Sequence, residues 1–265
     1  MTFFKKIFFD FKISAIWYSV GLFFYAALIV WMFPFVKEMS QDFEKLLESY
    51  PPAMINAFGM DNTAMLDTIE GFLAVESYSL FWMVIMAIFT FSLGASIVAG
   101  EIENGTSKFS FTLPIKRKKI VFEKFIASYI LLAGVILFNL IITIIGAYII
   151  GEDPHIKGFL AFFALSLVLF FFLLSLANFF SCVLKSKGKV YGICGGFFAT
   201  SYAIYILNGV SDKISDFYFF SFFKYYDPEM VLSSGALNIE NTLIFLIAGF
   251  ILFGASLILV EKRDL

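Results

Sequence analysis

Between Gly100 and Lys124 the chain sets acids, small residues and bases in a definite order. Glu101 and Glu103 come first, then Gly105 and Thr106, then Leu113 and Pro114. The basic run Lys116-Arg117-Lys118-Lys119 and finally Lys124 close the stretch. It holds six of the nineteen Lys and Arg residues and lies between two long runs without charge. Carboxylates and cationic heads at this density suit charge-assisted hydrogen bonding across an interface. Gly105 can take the positive φ of a tight turn. Thr106 is placed to cap a helix over Ser107–Leu113, which must end near Pro114 because the residue before a proline disfavours helix. Taken alone, the basic run reads equally as a topology signal or as a site for anionic lipid heads.

Other chemistries lack their residues. A hydrolase needs a nucleophile beside a base, and the single histidine, His155, stands in a separate polar loop. One histidine without a cysteine or carboxylate cluster is no metal site. The chain has no G-x-x-x-x-G-K-[ST] phosphate loop: Val190 follows Gly188-Lys189. Asn104-Gly105-Thr106 matches a glycosylation sequon, but charge places it on the inner side, so the match is coincidental. Cys182 and Cys194 fall in apolar runs and read as small buried hydrophobes.

The elements that carry the charged stretch are apolar. The 265 residues are 60% hydrophobic and 15% charged, with a net charge of −2, which excludes a general basic field for nucleic acid. Six stretches contain no Asp, Glu, Lys or Arg: 14–36, 77–100, 125–150, 158–184, 190–211 and 241–260. Each reaches the roughly 20 residues that a helix needs to cross the hydrocarbon core, and none alternates as a barrel strand does. The expected fold is a single all-α membrane domain, 1–265, with six transmembrane helices and no cleaved signal segment. Counting connections from an inside N-terminus puts fourteen Lys and Arg inside and five outside, with acids distributed the other way. Both termini are therefore expected in the cytoplasm.

Three connections carry further signals. Phe4, Ile7, Phe8 and Phe11 recur at helical spacing among Lys5, Lys6, Asp10 and Lys12, which predicts an amphipathic interfacial helix over 1–13. Phe43, Leu46, Leu47 and Tyr50 predict a second short amphipathic helix ended by Pro51-Pro52. Residues 217–226, FYFFSFFKYY, cover half the hydrocarbon thickness at about 1.5 Å per residue and predict a re-entrant or interfacial helix. The spans hold no ionisable group, so proton or sodium coupling is not expected. Asn139, Asn178 and Asn208 suit interhelical hydrogen bonds or substrate contacts equally. Gly192 and Gly196, at G-x-x-x-G spacing with Gly195 between them, allow close helix approach, either inside one subunit or between two.

Glu101, Glu103, Gly105, Thr106, Leu113, Pro114, Arg117 and Lys124 together resemble the cytoplasmic coupling loop of ABC-2 type transporter permeases. The stretch from Tyr50-Pro51-Pro52 to Ala57-Phe58-Gly59, the aromatic segment before the last span and the terminus Glu261-Lys262-Arg263-Asp264-Leu265 resemble the same family. Ile102 stands where a basic residue is frequent, and Ser107–Phe111 replaces a Leu/Glu-rich stretch. The resemblance implies a permease of an ATP-driven exporter in a bacterial or archaeal cell membrane. It implies no cofactor in this chain: ATP and Mg would be held by two separate cytoplasmic ATPase subunits. Two permeases, identical or paralogous, would pair, with a coupling helix between the second and third spans. The path would be lined by the second and fifth spans. An aromatic, charge-free interior suits a hydrophobic or amphipathic cargo, and relatives that export phenol-soluble modulins or confer resistance to peptide antibiotics point to a peptide. The competing classes are a non-transporting scaffold or sensor on anionic lipid, and a passive channel.

Overall fold

The computed structural model describes residues 3–47, 67–107, 115–210 and 212–263. Among these the chain is helical, and no strand occurs. In chain order the elements are α1 (Phe3–Leu47), α2 (Ile69–Leu73) running into a π turn (Ala74–Tyr78), α3 (Phe81–Ile97), α4 (Ala99–Glu103), α5 (Arg117–Ile149), α6 (Ile156–Val183), α7 (Lys187–Val210), 3₁₀ turns at Asp212–Phe220 and Phe222–Tyr225, α8 (Pro228–Ser234) and α9 (Ile239–Lys262).

Five of these helices are long and apolar enough to cross a membrane. A sixth candidate is a bent pair, either a broken span or a re-entrant loop: Ile69–Tyr78 and Phe81–Ile97 meet at a bend of 51°. Leu80, with φ −139° and ψ −60°, marks the bend. Both ends of the chain converge on the same end of the bundle. Phe3 lies beside Lys124, and Arg263 bonds the last carbonyls of α6. The protein is an integral, multi-pass membrane protein.

Helix α6 is the axis of the bundle. It packs against α3, α5, α7, α8 and α9. Trp82 sits between Phe162 and Phe170 of this helix, and Tyr78 lies 4.2 Å from Phe162, ring centroid to centroid. Small residues set the closest crossings. A Cβ added to Gly94 of α3 would lie 2.5 Å from the Ala177 Cβ of α6, so only glycine permits that approach. Asn178 donates to the Ser256 hydroxyl across the α6–α9 crossing at 2.7 Å, an interhelical hydrogen bond. Cys182 and Cys194 are buried free thiols. Helices α1 and α7 are peripheral and expose long apolar faces.

Four expectations change. The segment expected as a separate interfacial helix at 1–13 is continuous with the first span: α1 runs unbroken from Phe3 to Leu47. At about 1.5 Å per residue it is more than twice as long as the hydrocarbon core is thick. Ile7 is buried on the bundle, so the apolar face that suggested a membrane surface packs partly on protein. Phe43–Leu47 continues α1 as well, while Tyr50 and the stretch to Gly59 lie outside the described residues. The helix that leads into the second charge-free run begins ahead of it, at Ile69, where buried Glu70 accepts from the His155 N–H at 2.6 Å. The helix of the third run likewise starts ahead of it, at Arg117.

The aromatic segment 217–226 forms 3₁₀ turns rather than one α-helix. It turns back along α7: Phe222 packs on Phe197 and Phe198, and the Ser221 hydroxyl donates to the Ser201 carbonyl at 2.7 Å. Phe197 is thirteen residues from the end of α7 at Val210, a depth of about 20 Å along the helix.

Candidate coupling site

The charged residues collect where the chain ends meet. Helix α4 closes in a Schellman motif: Thr106 N–H donates to Glu101 O at 2.9 Å and Gly105 N–H to Ile102 O at 3.1 Å. Gly105 has φ +69°, which a side chain would strain. The Thr106 hydroxyl turns back and donates to the Glu101 carbonyl at 3.3 Å. The helix expected from Ser107 to Leu113, with Leu113 and Pro114 themselves, lies largely outside the described residues.

The turn points the Glu101 side chain inward. Its carboxylate pairs with Lys124 of α5 at 2.5 Å and Lys6 of α1 at 3.0 Å. Glu101 is 6% exposed and Lys124 is 0% exposed. The Lys124 ammonium also donates to the Ile97 carbonyl at 3.0 Å and lies 5.6 Å from the Phe3 ring centroid. A buried charge is tolerated only when paired and hydrogen-bonded, and Lys124 has both kinds of partner. Glu101 and Lys124 thus tie α1, α4 and α5 into one block.

Glu103 is exposed and accepts from the Lys187 N–H at 2.7 Å. That amide opens α7, where an acid also complements the positive end of the helix dipole. Arg117 donates through Nη1 to the Arg263 carbonyl. Arg263 in turn donates to the carbonyls of Cys182 (2.6 Å), Ser181 (3.3 Å) and Leu184 (2.9 Å). Its guanidinium therefore caps the C-terminal end of α6. Lys118 pairs with Glu261 at 2.7 Å on the surface. Beside Glu101 a cavity of about 310 Å³ opens between α1, α4 and α7, lined by Lys6, Asp10, Gly100, Asn104, Thr106 and Lys187.

Gly192, Gly195 and Gly196 stand apart from this block. A Cβ built at any of them meets no atom within 4 Å, so α7 does not use these glycines to pack within the subunit.

The model of the ABC-2 family of transporter proteins matches residues 12–265. The chain belongs to the ABC-2 transporter family. No curated protein matches the chain as a close relative. As an ABC-2 protein it is a membrane permease of an ABC transporter, and its family associates with ABC ATPase subunits. The ABC-2 permease brings Glu101, Lys124, Glu103, Gly105, Thr106 and Arg117 to one end of its bundle. Sequence reasoning missed their partners. Lys6 carried a signal in the amphipathic pattern of α1, and Arg263 in the terminal motif. Lys187 and Ser181 carried none, since their part depends on which helix ends meet.

Proposed function

We propose that this permease is half of a membrane pore in an exporter driven by separate ATPase subunits. The charged end lies in the cytoplasm, and the turn at Asn104-Gly105 meets the ATPase. One observation carries this: the segment that leaves the second pass is bonded to α1 and α5 through Glu101 and to α7 through Glu103. A push on such a block moves several helices together, which is what a chain without its own ATP-binding loop requires of a coupling element. Within the block, Glu101 and Lys124 position the turn, while exposed Glu103 and Asn104 are the groups available to a partner.

The cargo path runs between two copies or paralogues, along α3 and α7. A cavity of about 480 Å³ between α1, α3 and α7, lined by Tyr18, Ala87, Phe91, Ser92, Tyr191 and Phe198, supports an apolar or amphipathic cargo, with a peptide the best fit to its aromatic walls. The unpacked glycines of α7 support a close seam with the second permease. ATP and Mg are held by the partner, and no cofactor is assigned to this chain.

Charge reversal tests the contact. Glu103→Lys lowers ATP hydrolysis of the complex, or its assembly, while membrane insertion persists. Unchanged hydrolysis in a fully assembled Glu103→Lys complex contradicts a contact there.

A further inference from the structure

The second pass is interrupted a second time, at Val98, and the interruption is built by other helices. Val98 has φ −125° and ψ −56°, outside the helical region. In an uninterrupted helix the Ala99 N–H would donate to the Ala95 carbonyl four residues back. Here the Ser181 hydroxyl of α6 stands between them. It accepts from Ala99 N–H at 2.9 Å and Val98 N–H at 3.1 Å, and donates to Ala95 O at 3.0 Å. One hydroxyl can fill all three roles, having one donor and two acceptor lone pairs. A side chain inserted into the backbone ladder is an established cause of a sharp kink. The Ile97 carbonyl, also left over by the break, is taken by the Lys124 ammonium at 3.0 Å. All four groups are buried, so the break costs no unsatisfied hydrogen bond among them.

The crossing that delivers Ser181 is a close one between α3 and α6. Ala177, one turn before Ser181, occupies the space that a Cβ on Gly94 would need. The hydroxyl is thereby held against the ladder.

We propose that Val98 is a pivot on which α4 and the Asn104-Gly105 turn move as a short lever relative to α3, with Ser181 and Lys124 as its positioning residues. This rests on the ATPase-coupled function proposed above. A conventional helix would carry a push on the turn straight up α3. The serviced break allows the lever to swing while its backbone groups exchange partners, so displacement passes sideways to α5 and α6. Asn104 is six residues beyond Val98, about 9 Å along the axis, so a swing of about 20° moves it by roughly 3 Å.

The test measures the separation between spin labels at Ile88, exposed on α3, and Asn104. It is done in the complex of permease and ABC ATPase in lipid nanodiscs, with and without vanadate-trapped ATP. The lever predicts a nucleotide-dependent change in that separation, up to about 3 Å where the swing runs along the line between the labels. Ser181→Ala lets the ladder close, so the shift falls below about 1 Å while the ATPase still copurifies. Ser181→Thr, which keeps the hydroxyl, retains it. A complex that hydrolyses ATP without a shift in the wild type overturns the pivot, as does an undiminished shift in Ser181→Ala. Failure of any ATPase to assemble overturns the transporter function itself and the pivot with it.

Discussion

Removing one partner of the Glu101–Lys124 pair gives the most direct measure of how strongly the charged end is held together. Lys124→Met leaves Glu101, 6% exposed, with Lys6 at 3.0 Å, a lysine whose own side chain is 41% exposed. Breaking a buried pair costs about 3–5 kcal/mol. The surviving Lys6 contact argues for the lower end, about 3 kcal/mol, and loss of the bond to the Ile97 carbonyl adds about 1 kcal/mol. Glu101→Gln leaves the ammonium of a fully buried lysine with its carbonyl partner, and also costs about 3 kcal/mol. The double variant carries no uncompensated charge and costs about 3–4 kcal/mol rather than the sum, so the cycle yields a coupling of roughly 3–4 kcal/mol. SDS-titrated unfolding of the four proteins in mixed micelles gives these differences. Additive single effects, or a loss below about 1 kcal/mol in Lys124→Met, would refute a buried, coupled pair.

Other outcomes follow from packing and capping. Gly94→Ala brings a Cβ within 2.5 Å of Ala177 Cβ and 3.2 Å of its backbone, so it loses about 1–3 kcal/mol in the same assay. A Cβ at Gly196 meets no atom within 4 Å, so Gly196→Leu leaves monomer stability nearly unchanged, while the dimer fraction falls in size-resolved mass measurement if α7 forms the seam. Arg263→Ala uncaps α6 and costs about 2 kcal/mol, and Arg263→Lys does not restore it because one ammonium cannot reproduce the fork to three carbonyls. Burial, and then the charge of Asp227, push the Glu229 carboxyl above its ordinary range. Its folded form binds the proton more tightly than the unfolded form. Its contribution is therefore complete below the ordinary carboxylate value and lost as pH rises through the folded one. Glu229→Gln flattens that part of a stability profile against pH.

The passes were legible because hydrocarbon accepts only long uncharged helices, and the six charge-free runs are the direct mark of that demand. Their ends were legible only where charge coincides with solvent. Arg117–Lys124 is helical although it is highly charged, because Arg117, Lys118 and Lys124 find partners within the fold. Glu70 enters the second pass because the His155 amide satisfies it. The turn at Gly105 could be read from residue types, since a positive φ favours glycine. The inward direction of Glu101 could not, because an amphipathic pattern does not distinguish a carboxylate facing a partner from one facing a buried lysine. The break at Val98 left no local sign. It is made by Ser181, eighty-three residues away, and a hydroxyl in the fourth pass resembles any other until the crossing is known.

A cysteine at Asn104 tests the central claim most directly. Asn104 is exposed at the tip of the turn, and the native thiols, Cys182 and Cys194, are buried. The permease is coexpressed with a candidate ABC ATPase and treated with a short thiol-to-amine cross-linker in membranes. The account predicts one cross-linked product of permease plus ATPase, with a yield that changes when ATP is trapped. An assembled complex in which Asn104→Cys never cross-links to the ATPase, while a cysteine at an outer-loop position does, would contradict it.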